Sequence, residues 1–106
     1  MTNDQLTAIL AERVMRWSVG PDRFTMGGRR WLPLWRFQPV TRLEDAFRLL
    51  ESVAPEEFIM GAAESGGFWV KLRFAGTTVE ARDPSKPRAI TLAIARALGI
   101  AADSAE

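Results

Sequence analysis

The chain has 106 residues, of which 47% are hydrophobic and 25% charged, a composition typical of one globular domain. It contains no cysteine and no histidine, which excludes disulfide frameworks, zinc fingers, thiolate nucleophiles and Ser-His triads. No apolar run approaches the ~20 residues of a membrane span, and the N-terminus shows no signal-peptide pattern. We therefore expect a cytoplasmic protein without metal, cofactor or membrane contact.

Charge is unevenly distributed, although the net charge is only +1. Residues 13–42 contain seven arginines and one acid, Asp22, whereas residues 43–64 are acidic and residues 65–96 are basic again. Of the 14 basic residues 12 are arginine, which binds phosphate bidentately and stacks on rings. The pattern fits either an anion-binding surface or a codon preference for arginine with charges that pair between segments.

The first predicted helix runs from about residue 3 to residue 16. Thr2 and Gln5 have the spacing of a capping box, and apolar residues then recur at helical intervals. Residues 19–22 contain glycine and proline and end the helix.

A hairpin is predicted next, from residues 23–26 and 29–32 on a two-residue turn at 27–28. This register places Phe24 opposite Trp31 as a cross-strand aromatic pair. Residues 34–37 then lie between two prolines and are expected to form an edge strand or an ordered loop, because proline cannot donate to a central ladder.

The second half of the chain is predicted to contain two helices around three strands. The second helix starts at a capping box formed by Thr41 and Glu44 and stops at Pro55. The remaining elements are strands at residues 57–64, 67–74 and 77–82, then a helix from Asp83 or Ser85 to a left-handed Gly99.

The resulting order, α-β-β-α-β-β-β-α, indicates one α+β domain over residues 1–100 with a mainly antiparallel sheet. The helices are expected to cover one face of the sheet or to flank it on both sides. Residues 101–106 are small and acidic and are expected to fray.

Several segments resemble the phage ABA-sandwich domain proteins, small α/β/α proteins of phages and prophages. The resemblance rests on the first helix (6–17), the aromatic and proline-rich stretch (31–39), Asp45-Ala46, Phe68-Trp69-Val70, and the last helix (89–99). It implies a single-domain α/β/α sandwich of phage or prophage origin, without a catalytic signature. Phage proteins of this size and fold class include sponges that sequester nucleotide-derived immune signals, which suggests a similar role by analogy.

Three groups of residues are candidates for ligand binding. In the strand at residues 67–74, Trp69, Lys71 and Arg73 alternate with apolar residues and share one face. An indole beside two cations can stack a base and neutralise phosphate, although Trp69 packing under a helix explains the pattern equally simply.

The second group is the stretch Arg29, Arg30, Trp31, Trp35 and Arg36, whose residue types are enriched in binding hot spots. It is a ligand groove or a subunit interface, unless both tryptophans lie in the core. The third group is the start of the last helix, where Lys86 and Arg88 flank free backbone N–H groups that favour an anion.

From these residues we expect a protein without enzymatic activity that binds a phosphorylated, nucleotide-like small molecule. We also expect a homodimer or higher homo-oligomer, joined through residues 29–37 or through the outer face of the Trp69 strand.

A protein-interaction module is the alternative function. A double-stranded RNA-binding domain is a further one, since residues 41–99 follow its α-β-β-β-α order, but nucleic acid is disfavoured by the low net charge. If the protein is an enzyme, the candidate acids are Glu56, Glu57, Glu64 and Glu80.

Overall fold

The computed structural model describes residues 1–100 and contains three α-helices and two antiparallel three-stranded sheets. The elements are α1 (Asn3–Arg13), β1 (Ser18–Val19), β2 (Arg23–Thr25), β3 (Trp31–Pro33), a 3₁₀ helix (Leu34–Arg36), α2 (Leu43–Val53), β4 (Glu57–Ala62), β5 (Phe68–Phe74), β6 (Thr77–Asp83) and α3 (Lys86–Ala97). The predicted frayed tail, residues 101–106, lies outside the described residues.

Helix α1 begins as its sequence predicts and ends earlier. The Thr2 hydroxyl accepts the Gln5 N–H, and the Gln5 side chain accepts the Thr2 N–H at 2.7 Å, which confirms the capping box. Arg16 adopts a left-handed φ of 61°, and Trp17 N–H donates to the Ala11 carbonyl. The chain therefore turns out of the helix at residue 16 and brings Trp17 back onto the core.

The smaller sheet has the order β1-β2-β3, and its register differs from the prediction. Phe24 pairs with Leu32, and Thr25 with Trp31. The expected Phe24–Trp31 pair is wrong, because Met26 N–H donates to the Arg30 carbonyl and the loop gains a third residue. A one-residue shift turns side chains to the opposite face. Phe24 is consequently buried, whereas Trp31 points to solvent.

The larger sheet is the meander β4-β5-β6. Its inner face carries Val70 and Leu72, which are fully buried, and α3 packs on β5 and β6. The other side, here called the outer face, is exposed or half-buried and has the cross-strand rows Glu57-Arg73-Thr78, Ile59-Lys71-Glu80 and Gly61-Trp69-Arg82. Ala75 and Gly76 both have positive φ, as a two-residue hairpin turn requires, and thereby confirm the predicted turn.

Helix α2 packs against α3, but it does not start with the predicted capping box. Its N-cap is Arg42, and the Thr41 hydroxyl donates instead to Gln38. The last helix begins after Ser85, and Gly99 takes the predicted left-handed conformation, with Ile100 buried behind it.

One hydrophobic core joins both sheets and all three helices, so the α+β class and the approximate element order are confirmed. Next to the smaller sheet the core is an aromatic cluster, in which the Phe37 ring lies 5.0 Å from Trp17 and 5.8 Å from Phe24. The three rings meet at tilted or edge-on angles, the geometry that aromatic pairs prefer. No helix within residues 1–100 is long and apolar enough to cross a bilayer.

Candidate functional site

The most exposed aromatic residues lie on one stretch of chain, which together with β2 forms a surface of arginine and tryptophan. This Arg-Trp surface consists of Arg23, Arg29, Arg30, Trp31, Trp35 and Arg36. Trp31 is 52% exposed and Trp35 63% exposed, so the alternative that places both in the core is wrong. Each indole has a guanidinium over its ring, Arg23 at 4.2 Å from Trp31 and Arg36 at 5.5 Å from Trp35.

The segment that carries Trp35 is tied to the rest of the fold at three successive residues. Phe37 is fully buried in the aromatic cluster, and Gln38 N–H donates to the Asp45 carboxylate at 2.9 Å. The Pro39 carbonyl accepts the Thr91 hydroxyl at 2.8 Å, within the core. These contacts anchor the chain directly after the 3₁₀ helix that carries Trp35.

The Arg-Trp surface is strongly cationic. Arg23 donates to Asp22 at 3.2 Å, and this hydrogen bond holds the pKa of the Asp22 carboxyl below its ordinary value. Arg29, Arg30 and Arg36 are exposed and make no ion pair with any residue between 1 and 100. Three guanidinium groups therefore remain available to an anion from solution.

A cavity of about 260 Å³ opens beside Trp35, between the start of α1 and the smaller sheet. Its walls are mainly apolar and include Phe24, Leu34 and Phe37. The polar residues on the lining are Asp4, Thr7 and Gln38. Trp35 lines this cavity and has Arg36 over its ring, so the cavity adjoins the Arg-Trp surface at these two residues. Trp31 lies on the face of the smaller sheet opposite to Phe24.

The first predicted group, Trp69, Lys71 and Arg73, lies on the outer face of the larger sheet. The Trp69 indole covers Gly61, and a Cβ at Gly61 would come within 2.7 Å of the ring. Trp69 also borders a shallow open cavity together with Arg82 and the residues that follow β4. Because Gly61 has no side chain, the Trp69 ring can pack over the Gly61 backbone. This packing agrees with the half-buried state of Trp69.

Cations on the outer face have acidic neighbours. Arg73 lies 3.8 Å from Glu56, and Arg82 lies 3.3 Å from Glu80. Lys71 is the cross-strand partner of Glu80. An anionic ligand on this face would meet carboxylates as well as cations, which lowers its attraction.

The third predicted group is engaged in local contacts. Arg88 donates to Asp83 at 3.0 Å and to Asn3 at 3.2 Å, which links α3 to the start of α1. Lys86 lies over the Phe68 ring, and the Ser85 N–H donates to Asp83. The helix start therefore already has a carboxylate in the position that a bound anion would take.

Two of the four carboxylates considered for catalysis, Glu56 and Glu80, make structural contacts. Glu56 accepts the Gly76 N–H at 2.9 Å and stabilises the β5–β6 turn, while Glu80 pairs with Arg82. Within residues 1–100, no three acids are placed so that they can hold a metal ion.

Arg23, Asp4, Thr7 and Gln38 belong to the candidate site, although the sequence did not single them out. Arg23 gains its place from the shifted hairpin register, which sets it beside Trp31. The other residues come from α1 and from the segment after the 3₁₀ helix. An acidic residue in the first turn stabilises a helix and is common there, so the sequence around Asp4 does not indicate a binding role.

The comparisons with known proteins concern the whole fold. A crystal structure at 2.0 Å of a phage protein from Bacillus cereus ATCC 14579 matches with a TM-score of 0.76 at 16% sequence identity. The match covers 94% of this chain and 90% of that chain. No curated protein matches the chain. The model of the phage ABA sandwich domain matches residues 8–94, and the chain therefore belongs to the phage ABA sandwich domain family.

Proposed function

We propose that this phage-family protein binds and sequesters a phosphorylated, ring-containing small molecule of nucleotide type on the Arg-Trp surface. The observation that carries the proposal is the pair of indoles, each more than half exposed and each beside a guanidinium. Tryptophan and arginine are the residue types most enriched in binding hot spots. An indole stacks on a base at ~1 to 3 kcal/mol, and arginine binds the phosphate.

The Arg-Trp surface supports this function better than the outer face of the larger sheet does. Its arginines at positions 29, 30 and 36 make no ion pair within the described chain, whereas Arg73 and Arg82 each lie near a carboxylate. It also adjoins a cavity with aromatic walls. Binding a charged ligand on the outer face would first require the existing pairs to be broken or shared.

In this proposal the ligand is released chemically unchanged, since two of the acids considered for catalysis already make structural contacts. Glu56 holds the β5–β6 turn and Glu80 pairs with Arg82. Ligand released by heating the complex should be chemically intact when it is separated by chromatography. A cleaved or isomerised product formed over multiple turnovers would show that the protein is an enzyme.

We further propose that the protein acts in the cytoplasm of the bacterial host as a two-fold homodimer, joined through the outer face of the larger sheet. That face carries Lys71 and Arg73 together with Glu57 and Glu80, so it can complement a second copy of itself. The expected interface buries about 1,200 to 2,000 Å² in total. A monomer mass in light scattering that does not change with concentration would contradict the dimer.

A protein-interaction module is the second candidate function, and the exposure of Trp31 and Trp35 is the observation that favours it. The double-stranded RNA alternative has less support. Helix α2, strands β4 to β6 and helix α3 do follow the order of that domain, but at the start of α3 Arg88 is already bonded to Asp83.

Thermal denaturation with a panel of ligands separates the two candidate functions. We expect at least one compound among cyclic nucleotides, cyclic dinucleotides and ADP-ribose derivatives to raise the melting temperature. At 100 times its dissociation constant a ligand adds about 2.7 kcal/mol, which corresponds to a rise of roughly 10 °C or more for a domain of this size. If no compound in the panel changes the melting temperature, the interaction module is favoured and the small-molecule function is contradicted.

A further inference from the structure

We infer that the cavity beside Trp35 binds the ring of the ligand, and that it selects a purine of guanine type through the Asp4 carboxylate. This inference rests on the proposed function, which it extends from a general class of ligand to a specific base. It assigns separate tasks to two parts of the same site. The cavity takes the base, and the arginines outside it take the phosphate.

The size of the cavity supports this division. Its volume of about 260 Å³ is below the roughly 300 to 1,000 Å³ of sites that enclose a complete drug-sized ligand. It exceeds the about 150 Å³ in which an engineered cavity binds benzene. There is consequently room for a fused ring, while a ribose phosphate would remain outside.

The walls of the cavity suit a planar ring. Trp35 and Leu34 supply accessible aromatic and aliphatic surface, and the buried Phe24 and Phe37 form the base of the cavity. Phe24 and Phe37 are held by the aromatic cluster and cannot turn away without breaking its packing. A flat heterocycle gains dispersion and stacking contacts there, whereas a sugar would leave its hydroxyl groups facing carbon.

The polar groups on the lining determine which ring fits. Asp4 makes no hydrogen bond or ion pair with the described part of the chain, and its ionised carboxylate only accepts hydrogen bonds. The Gln38 side-chain oxygen already accepts the Thr41 hydroxyl at 3.2 Å, which leaves the Gln38 amide NH₂ as a donor. Asp4 and Gln38 therefore offer one bidentate acceptor and one donor, and the Thr7 hydroxyl can act as either.

Guanine complements this set of groups. Its Watson–Crick edge presents two adjacent N–H donors, which one carboxylate can accept together, and a carbonyl oxygen that can accept from an amide. Adenine presents a single amino group beside a bare ring nitrogen on the same edge. A carboxylate that pairs with two donors favours guanine, because adenine offers it only one donor.

The phosphate then lies next to Arg36. The Arg36 guanidinium is 5.5 Å from the centre of the Trp35 ring, and Trp35 forms part of the cavity wall. A phosphate attached through ribose to a base in the cavity emerges on the same side. Arg36 is exposed and makes no ion pair within residues 1–100, so it is available to that phosphate.

Calorimetric titration with three compounds tests the inference: guanosine monophosphate, adenosine monophosphate and ribose 5-phosphate. We expect guanosine monophosphate to bind at least tenfold more tightly than either of the others. Asp4→Asn should weaken guanosine monophosphate about tenfold and leave ribose 5-phosphate unchanged. The matched control is Glu12→Gln, which removes the same charge from an exposed position on α1 and should change neither affinity.

The inference is overturned if the three compounds bind equally. It is also overturned if Asp4→Asn weakens the binding of all three compounds to the same extent, or weakens the binding of none. In those cases the phosphorylated compounds still bind, and the proposed function stands without the assignment of the base. Absence of binding by all three overturns the inference as well. The wider ligand panel then decides separately whether the proposed function fails with it.

Discussion

Replacement of Phe37 by alanine should cost about 3 to 5 kcal/mol of the free energy of unfolding, the usual loss for a buried phenylalanine. Phe37 is fully buried, and its ring contacts Trp17 and Phe24 in the aromatic cluster. Because natural domains are stable by only about 5 to 15 kcal/mol, this single change removes a large part of the total. Urea denaturation followed by tryptophan fluorescence measures the loss.

Trp31→Ala is the matched control for Phe37→Ala, since it removes a larger aromatic side chain from an exposed position on the same stretch of chain. Surface substitutions usually change stability by less than about 0.5 kcal/mol. Equal losses for the two variants would contradict the assignment of Phe37 to the core and of Trp31 to the surface.

Replacement of Arg36 or Trp35 by alanine should weaken the bound ligand by roughly tenfold to a hundredfold. This range corresponds to the about 1.5 to 3 kcal/mol of a hydrogen bond to a charged group, or of a stacked base. Both side chains are exposed, so the fold should keep its melting temperature without ligand. Affinity is measured by calorimetry with whichever compound of the panel stabilises the wild-type protein most.

Lys71→Ala provides the comparison for Arg36→Ala. Lys71 is an exposed cation on the outer face of the larger sheet, and its loss changes the net charge by the same amount. The Lys71→Ala variant should bind the ligand with the same affinity as the wild-type protein. If Lys71→Ala weakens binding as much as Arg36→Ala does, only long-range charge attracts the ligand, and the Arg-Trp surface is not the site.

Much of the fold follows from local signals that the sequence contains. The capping box at Thr2, the alternation in β5 and the left-handed Gly99 each depend on residues close together in the chain, and the structure confirms them. The capping box at Thr41 failed for a different reason. Asp45 accepts the Gln38 N–H, and this contact across seven residues sets the start of α2 one residue later.

The register of the first hairpin could not be predicted from its turn residues. Gly27 and Gly28 suit both a two-residue and a three-residue loop, and only burial of Phe24 opposite Leu32 selects the longer one. The same shift exposes Trp31. The position of an aromatic residue in the core or on the surface therefore depended on packing between distant segments.

The candidate site shows the same limit. The sequence predicted the arginines and tryptophans of residues 29–36, because their density is a local property. Asp4 reaches the site because α1 packs beside the smaller sheet, and Arg88, near the other end of the chain, donates to Asn3 in the same turn. Contacts of that range have no signature in a single sequence.

The binding site can be located most directly through the tryptophan indole N–H signals in an NMR titration. The chain has four tryptophans, of which Trp31 and Trp35 lie on the Arg-Trp surface, Trp69 on the outer face and Trp17 in the core. Addition of the stabilising ligand should shift the signals of Trp31 and Trp35 and leave those of Trp17 and Trp69 in place. A shift of Trp69, with Trp31 and Trp35 unmoved, would contradict the account and move the site to the larger sheet.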